Sequence, residues 1–203
     1  VFVFFSPNTT VRGGEFHDVG VAIVIGMSDN SIVESVQVTN SGLGISVHDS
    51  DNVTVTQCQV QSSSSGVYIG YGTDVRVTDC LLTDCEFLPV NLYWVHGAEL
   101  LNNTMSTKGD WCIVEQGCLG LEITNNTLTG GGVRLYEKTV ANYWANINGT
   151  TVNGRPVRLF HSWTNYTVDE DEYGQMIIVN CVNFTVRNAS FDVSCAVTLA
   201  FCT

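Results

Sequence analysis

The residues that come closest to a catalytic arrangement are two aspartates and one arginine in the middle of the chain. Asp79 and Asp84 flank Cys80, and Arg76 lies on the strand that precedes them. Cleavage of a glycosidic bond by the usual hydrolytic route needs two opposed carboxyl groups. Acidic residues on the outward face of a strand are ordinary, however, because they keep that face solvated. We therefore assign no catalytic residue and expect the chain not to be an enzyme.

Other catalytic and metal-binding patterns are missing from the sequence. The histidines fall in different repeats, so no Ser/His/Asp arrangement is indicated; they are His17, His48, His96 and His161. No Cys-x-x-Cys pair is present, which excludes the usual zinc spacing. The acidic stretch at 169–172 lacks the regular Asp-x-Asp-x-Asp-Gly spacing of a calcium loop and is read as a solvated tip. We expect neither a metal nor a cofactor.

Several aromatic residues recur at related positions of neighbouring repeats. They are Tyr68, Tyr71, Tyr93, Trp94 and Trp111. Side chains of this kind, lined up on an outward face, could bind a sugar chain. Outward aromatic stacks also serve as packing or interface surfaces, so both interpretations stay open.

The cysteines and asparagines indicate an oxidising, extracytoplasmic location. The disulfide candidates are Cys58, Cys80, Cys85, Cys112, Cys118, Cys181, Cys195 and Cys202. Cys58 and Cys80 fall in one column on adjacent rungs, where either a bridge or two buried thiols would fit. The candidate N-glycosylation sites, each with Ser or Thr two positions on, are Asn8, Asn52, Asn102, Asn125, Asn148, Asn165, Asn183 and Asn188.

The charge balance excludes two classes of partner. The 203 residues carry a formal net charge of −12, with only 8 lysines and arginines. No basic stripe can therefore neutralise phosphates, which argues against binding to nucleic acid or to an anionic membrane surface. No run of about 18 apolar residues occurs, so we expect no membrane span.

The element that must position all these residues is a repeat of about 22 residues that runs along the chain. Each repeat contains two apolar residues at i and i+2, which place two side chains on one face of a strand. The first members are Ile23, Ile45, Val67, Val90, Cys112, Val133, Val157, Met176 and Val197. The second members are Ile25, Val47, Ile69, Leu92, Val114, Leu135, Leu159, Ile178 and Leu199. A chain that returns to the same place at each repeat stacks into a solenoid.

A second strand precedes this pair in most repeats and starts after Asn, Asp or Gly, as in Asn52 followed by Val53 to Thr56. Six residues after each turn residue lies another column, in which Asn103 and Asn126 predict an asparagine ladder. The alternative is that both are exposed loop residues. The fold predicted is an all-β, right-handed parallel β-helix of about nine rungs in one domain over residues 1–203. Its regularity breaks in an irregular insert at about 140–175.

Units such as Asn52 to Cys58 followed by Gly66 to Ile69 are similar to parallel β-helix repeats of the PbH1 type. Residues 15–203 as a whole resemble the NosD-like right-handed β-helix proteins of archaeal cell surfaces, and the stretch Tyr143 to Val157 is similar to an insert common in that group. The resemblance implies an extracellular β-helix, often one module of a larger surface protein. Copper handling, associated with the namesake, is not supported because no Met-rich or His-rich cluster is present.

The two ends of the chain suggest a function. The start, Val1 to Phe5, is read as a first strand, and the last strand, from Val197, stops at a rung boundary without a polar cap. Open strand ends offer unpaired backbone groups, so copies could add head to tail as a filament, sheath or surface-layer glycoprotein. A fragment of a longer β-helix is the competing interpretation of these ends. The alternative function is a carbohydrate-binding or polysaccharide-cleaving module of a larger surface protein.

Overall fold

Three short strands separated by three corners make up one turn of this chain. The computed structural model describes residues 1–137, 139–140, 143–169, 172–194 and 196–203. The chain is an all-β, right-handed parallel β-helix of about nine turns, about 22 residues apart, which confirms the predicted fold class. None of the described residues belongs to a helix long and apolar enough to cross a membrane.

The described strands form three long sheets and one small one. The first sheet contains β1 (Phe2–Phe4), β4 (Val21–Gly26), β7 (Leu43–His48), β10 (Ser65–Thr73), β13 (Leu88–His96), β16 (Trp111–Gln116) and β19 (Gly132–Tyr136). The second contains β2 (Thr10–Arg12), β5 (Ile32–Glu34), β8 (Thr54–Thr56), β11 (Arg76–Thr78), β14 (Glu99–Leu101), β17 (Leu121–Thr124) and β20 (Ala145–Asn148). The third contains β3 (Glu15–His17), β6 (Gln37–Thr39), β9 (Gln59–Gln61), β12 (Leu81–Cys85), β15 (Thr104–Thr107), β18 (Thr127–Thr129), β21 (Thr151–Val152), β22 (Arg155–His161), β24 (Gln175–Val179) and β26 (Val197–Ala200). A two-stranded sheet joins β23 (Thr167–Val168) to β25 (Thr185–Val186).

The core is a set of stacked apolar columns. In the first sheet Ile23 pairs with Ile45, and Ile45 pairs with Val67, all in parallel register and fully buried. Alternation along each strand points these side chains inward and their neighbours outward. Stacking then buries a continuous apolar interior, because no single rung could cover its own inward face.

The corners depend on residues that tolerate a left-handed backbone. Asn30, Asn52 and Asp74 stand at the same corner of successive turns with φ of 56°, 53° and 53°. Asn and Asp adopt this region more readily than other side chains, and Gly97 takes the same place on the next turn at φ 68°. This explains why the sequence places Asn, Asp or Gly just before each second strand.

The predicted asparagine ladder is confirmed. Asn103 and Asn126 are both 1% exposed, and Nδ2 of Asn103 donates to Oδ1 of Asn126 at 3.0 Å. Asn126 Nδ2 also donates to the carbonyl of Leu100 at 2.8 Å. The backbone N–H groups of Cys80 and Asn103 donate to the side-chain oxygens of the residues one rung on, Asn103 and Asn126 respectively. The ladder therefore satisfies buried backbone groups at a corner where the sheets do not.

One stretch of the predicted register is wrong. Val90 pairs with Ile113, and Leu92 pairs with Glu115, whereas the repeat assigned Cys112 and Val114 to these inward places. An irregularity between Trp111 and Ile113 shifts the strand by one residue. A one-residue shift exchanges the two faces of a strand. It therefore brings a glutamate into a column that is apolar elsewhere.

The region expected to be an irregular insert begins as regular structure. Strands β20 and β21 extend the second and third sheets, and an antiparallel hairpin then joins β21 to β22. The last three predicted apolar pairs, which begin at Val157, Met176 and Val197, consequently lie in the third sheet. Val157 aligns there with Gln175, whereas the repeat predicted that it would align with Met176. The Gln175 side chain closes the first sheet: its Oε1 accepts from Val133 N–H at 2.8 Å, and its Nε2 donates to Val133 O at 2.7 Å.

Candidate functional site

Two large aromatic residues stand exposed at one corner of the first sheet. Tyr71 and Trp94 occupy equivalent places on successive turns, with 55% and 51% of their surface exposed. Their φ angles are 56° and 53°. A bulky side chain rarely adopts this left-handed region, so the surrounding ladder must hold it there. In the register, Gly70 pairs with Tyr93 and Gly72 with Val95, so backbone pairing continues on both sides of the two residues.

Tyr93 connects these two aromatic rings. Its ring lies edge-on to Tyr71 with centroids 5.3 Å apart, and edge-on to Trp94 at 6.5 Å. A hydrogen bond to Tyr93 is the main cause that raises the pKa of the Tyr71 phenol. Trp94 also lies over Gly117 of the next turn, where a Cβ atom would come within 2.9 Å of the indole. Contacts on two turns therefore fix the orientation of the exposed rings.

A shallow cleft of about 150 Å³ opens beside the two rings. Its lining residues, which we call the aromatic cleft, are Asp51, Tyr71, Gly72, Thr73, Trp94 and His96. The Thr73 backbone N–H donates to Asp51 Oδ1 at 2.8 Å, which fixes the carboxylate at the edge of the cleft. The cleft thus combines apolar ring faces with a carboxylate acceptor and an imidazole that can donate or accept. Such a surface can stack on the apolar face of a sugar ring and hydrogen-bond its hydroxyl groups.

The aromatic residues singled out from the sequence divide into two groups. Tyr68 lies beside Tyr93, and burial is the main cause that raises its pKa, with Tyr93 and Asp49 adding to the effect. Tyr71 and Trp94 therefore line the aromatic cleft, Tyr93 contacts both of their rings, and Tyr68 lies behind them beside Tyr93. The fifth, Trp111, contacts a different residue: the Arg134 guanidinium lies 5.4 Å from its ring centroid.

The three candidate catalytic residues do not form a site with one another. Arg76 makes a bidentate ion pair with Glu99, at 2.8 and 3.3 Å. Asp79 Oδ1 accepts from Asn102 at 3.3 Å, and Asp84 stands at a different corner. No hydrogen bond or ion pair joins the three side chains to one another in the part of the chain that the structure describes.

The structure reveals an ionisable residue in the core that the sequence reasoning missed. Glu115 is 2% exposed, and the backbone N–H of Cys118 donates to its Oε1 at 2.9 Å. Burial raises the pKa of Glu115 to about 9, and a hydrogen bond with Glu137 adds to the rise. This carboxyl group is therefore protonated at neutral pH. The sequence feature that could have indicated this shift is the apolar run from Trp111 to Val114. Four apolar residues in a row fit either register of the strand.

The described cysteines other than Cys202 are buried, and Cys195 lies outside the described residues. Cys58 and Cys80 contact each other on adjacent turns, as their column predicted. Their contact lowers the pKa of Cys58 and raises that of Cys80. Burial raises the pKa of Cys85 and of Cys118 to about 12. Which of the cysteines form disulfides stays a prediction.

The candidate glycosylation sites all lie on the surface. Each of the eight asparagines is exposed, and all except Asn148 have a left-handed backbone at a corner. The strand that follows such a corner favours a β-branched residue such as Thr. The fold by itself therefore produces many Asn-x-Thr sequences, and glycan attachment stays a prediction.

The histidines lie on different turns, as their places in the repeat predicted, and the acidic stretch is described only at its two ends. His96 lines the aromatic cleft, and His48 lies 3.7 Å from Asp49. His161 stacks on Trp144 with ring centroids 4.5 Å apart. In the acidic stretch, Asp169 accepts from Asn188, while residues 170 and 171 lie outside the described residues.

Several solved structures share this architecture. A family 28 exopolygalacturonase from Yersinia enterocolitica is 17% identical, with a TM-score of 0.49, over 89% of this chain and 34% of that one. An alginate lyase from Paenibacillus sp. is 10% identical, with a TM-score of 0.47, over 98% of this chain and 90% of that one. A GH87 alpha-1,3-glucanase from Streptomyces thermodiastaticus is 10% identical, with a TM-score of 0.34, over 100% and 60%. This chain thus spans about a third of the exopolygalacturonase. A search of curated proteins finds no match.

These similarities correct one expectation. The chain was expected not to be an enzyme, and that exclusion is wrong: the three structures named above, to which it is similar, are polysaccharide-cleaving β-helix enzymes. At 10–17% identity the likeness shows the fold alone. The function therefore has to be argued from the residues of this chain.

The family follows from the sequence match and the architecture together. The family model described as "Right handed beta helix region" matches residues 1–105 and 40–198, which covers most of the chain. The three sheets of stacked parallel strands are the fold that this description names. The chain belongs to the right-handed β-helix family.

Proposed function

We propose that this chain is a carbohydrate-binding β-helix module and that a glycan binds at the aromatic cleft. One observation carries the proposal: Tyr71 and Trp94 are both more than half exposed, stand at the same corner of successive turns and line one cleft. The left-handed backbone belongs to this corner on other turns as well, since Phe5, Met27 and Gly117 also adopt it, so it is the exposed rings and the cleft that indicate a ligand.

The chemistry of the aromatic cleft also supports a sugar as the ligand. A pyranose ring has an apolar face of C–H groups and an edge of hydroxyl groups. The rings of Tyr71 and Trp94 offer surfaces for the apolar face, while Asp51 and His96 offer hydrogen-bond partners for the hydroxyl groups. Tyr93 holds the rings in place before a ligand arrives, which lowers the entropic cost of binding.

The test is a binding screen with uncharged polysaccharides by affinity electrophoresis, followed by calorimetry on the oligosaccharides that bind. Trp94→Ala and Tyr71→Ala should each weaken binding at least tenfold, which is the range of an interface hot spot. Trp144→Ala is the matched control, because that indole is also exposed, at 63%, but lies outside the aromatic cleft. Binding that survives both cleft substitutions, or no binding by the wild-type protein, would refute the proposal. A reducing-end assay on the same mixtures detects cleavage.

A second candidate function is end-to-end assembly into a filament, sheath or surface layer. The observation that favours it is the exposure of large apolar side chains on the outermost described strands. Phe2 is 70% exposed on β1, and Leu199 is 67% exposed on β26. An apolar edge of this kind can pair with a second copy. Light scattering coupled to size-exclusion chromatography tests this, and a monodisperse monomer at high concentration would exclude it.

We propose an extracellular location, one domain over residues 1–203, glycans on the exposed sequons and disulfides among the cysteines. Kinship with NosD-like archaeal surface proteins is proposed as well. Intact mass with and without a reductant and a glycosidase measures glycan load and disulfide content. A mass equal to that of the reduced, unmodified chain would refute both of these modifications.

A further inference from the structure

Resting on the proposed function, we propose that the aromatic cleft selects uncharged and amino sugars and excludes glycans built from uronic acids. The proposal names the class of sugar from the charges that surround the exposed rings. It therefore adds a selectivity that the presence of a binding surface alone would not give.

A row of carboxylates on consecutive turns leads to the aromatic cleft, which Asp51 lines. The backbone N–H of Asp51 donates to Asp29 Oδ1 at 2.9 Å, and Asp51 Oδ1 in turn accepts from Thr73 N–H. The two carboxylates therefore follow one another along a corner, one rung apart, where stacked strands lie about 4.8 Å from each other. Asp49 adds a third carboxylate, with 55% of its side chain exposed. A uronate bound at Tyr71 and Trp94 would bring its own carboxylate close to this row.

Among the described residues no lysine or arginine lines the aromatic cleft, where the basic side chains are His96 in the lining and His48, 3.7 Å from Asp49. On the strand that follows the corner, Arg76 is bound by Glu99. Arg134 lies on β19, two strands away from β13 in the first sheet. Its guanidinium carbon is 5.4 and 5.3 Å from the ring centroids of Trp111 and Tyr136. The whole chain carries a net charge of −12, so the long-range field repels anionic polymers as well.

Uncharged and cationic sugars escape this repulsion. A neutral hexose needs only the ring faces and the hydrogen-bonding groups of Asp51 and His96. The ammonium group of an amino sugar gains attraction from the carboxylates and from the faces of Trp94 and Tyr71. The same charges that exclude uronates therefore favour amino sugars.

The test compares sugar chains that differ in charge but share a backbone. Oligogalacturonate and its methyl ester are one pair, and oligomers of glucosamine and N-acetylglucosamine are the other, measured by calorimetry at about pH 5.5, where the amines of the glucosamine oligomers are protonated and the uronates are ionised. At low ionic strength the ester should bind at least tenfold more tightly than the free acid, and glucosamine oligomers at least as tightly as their acetylated form. Exposed charges are screened beyond about 3 Å at 1 M salt. At that salt concentration the ratio of the affinity for the ester to the affinity for the free acid should therefore fall towards one.

Substitutions locate the effect. Asp51→Asn keeps the oxygen that accepts from Thr73 but removes the charge, so it should reduce the preference for the ester severalfold, and Asp49→Asn should do the same. Glu86→Gln is the matched control at another corner of the next turn, where Glu86 accepts from Ser64, and should leave the preference unchanged. Equal or tighter binding of the free acid, with ester binding intact, would overturn this inference alone. Failure of all four oligomers to bind would overturn it together with the proposed function.

Discussion

Glu115→Gln should make the protein more stable, by an amount that grows with pH. The wild-type carboxyl group has a pKa of about 9 in the folded state and 4.5 as the reference value for an unfolded chain. Below about pH 4.5 it is protonated in both states, so its favourable contribution is fully present. As the pH rises towards 9 only the unfolded chain ionises, and that contribution is lost progressively.

The size of the effect follows from the pKa difference. Each pH unit in this window costs about 1.4 kcal/mol, so by pH 7 the wild-type protein loses about 3 kcal/mol relative to its stability at pH 4.5. Glutamine cannot ionise and has the same shape. Its oxygen can keep the hydrogen bond from Cys118, and its NH₂ group can donate to Glu137. The variant should therefore avoid most of this loss.

Urea unfolding of both proteins at pH 4.5, 7 and 9 measures the difference. The free energy of unfolding of Glu115→Gln relative to wild type should rise by about 3 kcal/mol between the first two pH values. Glu122→Gln is the control, since it makes the same change at an exposed glutamate on β17 of the second sheet, and it should not reproduce this rise of about 3 kcal/mol. A difference for Glu115→Gln that does not change with pH would show that this carboxyl group is not held protonated in the core.

Three further outcomes follow from the stacked architecture. Asn126→Ala should lower the free energy of unfolding by roughly 3 kcal/mol or more, measured by urea unfolding, because it leaves buried donors of the ladder without acceptors. Gly66→Ala should lower the free energy of unfolding by about 1–3 kcal/mol, since the added Cβ would lie 2.4 Å from a carbonyl oxygen of the next turn. Gly20→Ala is the control and should change the free energy of unfolding little, because the space around Gly20 is open. In the native protein with its cysteines reduced, a thiol reagent followed by peptide mapping should label Cys202 well before the buried Cys85, whose pKa is about 12; equal rates would contradict this packing.

Much of the fold could be predicted because the repeat constrains each turn independently. Paired apolar residues set the inward faces, and Asn, Asp or Gly mark the corners, as at Asn52 and Asp74. The ladder of Asn103 and Asn126 followed from the same spacing. The register around Glu115 could not be predicted, since several consecutive apolar residues fit both faces and the irregularity depends on packing with neighbouring turns.

The candidate site was predicted in part. The sequence indicated that Tyr71, Tyr93 and Trp94 recur at related positions, and the structure places their rings in contact. It gave no sign that Asp51 and His96 would border the same cleft, because their proximity depends on the path of a corner. The left-handed backbone at Tyr71 and Trp94 was also hidden, since the residue types found there normally avoid it.

The most direct test of the central claim uses the tryptophan side chains as reporters. The chain has four, at 94, 111, 144 and 163, and each indole N–H gives its own signal in a ¹H–¹⁵N spectrum of labelled protein. During titration with an uncharged oligosaccharide that the protein binds, the signal of Trp94 should move most, and those of Trp144 and Trp163 should stay in place. A bound sugar that moves the Trp144 signal and leaves that of Trp94 unchanged would contradict the assignment of the aromatic cleft.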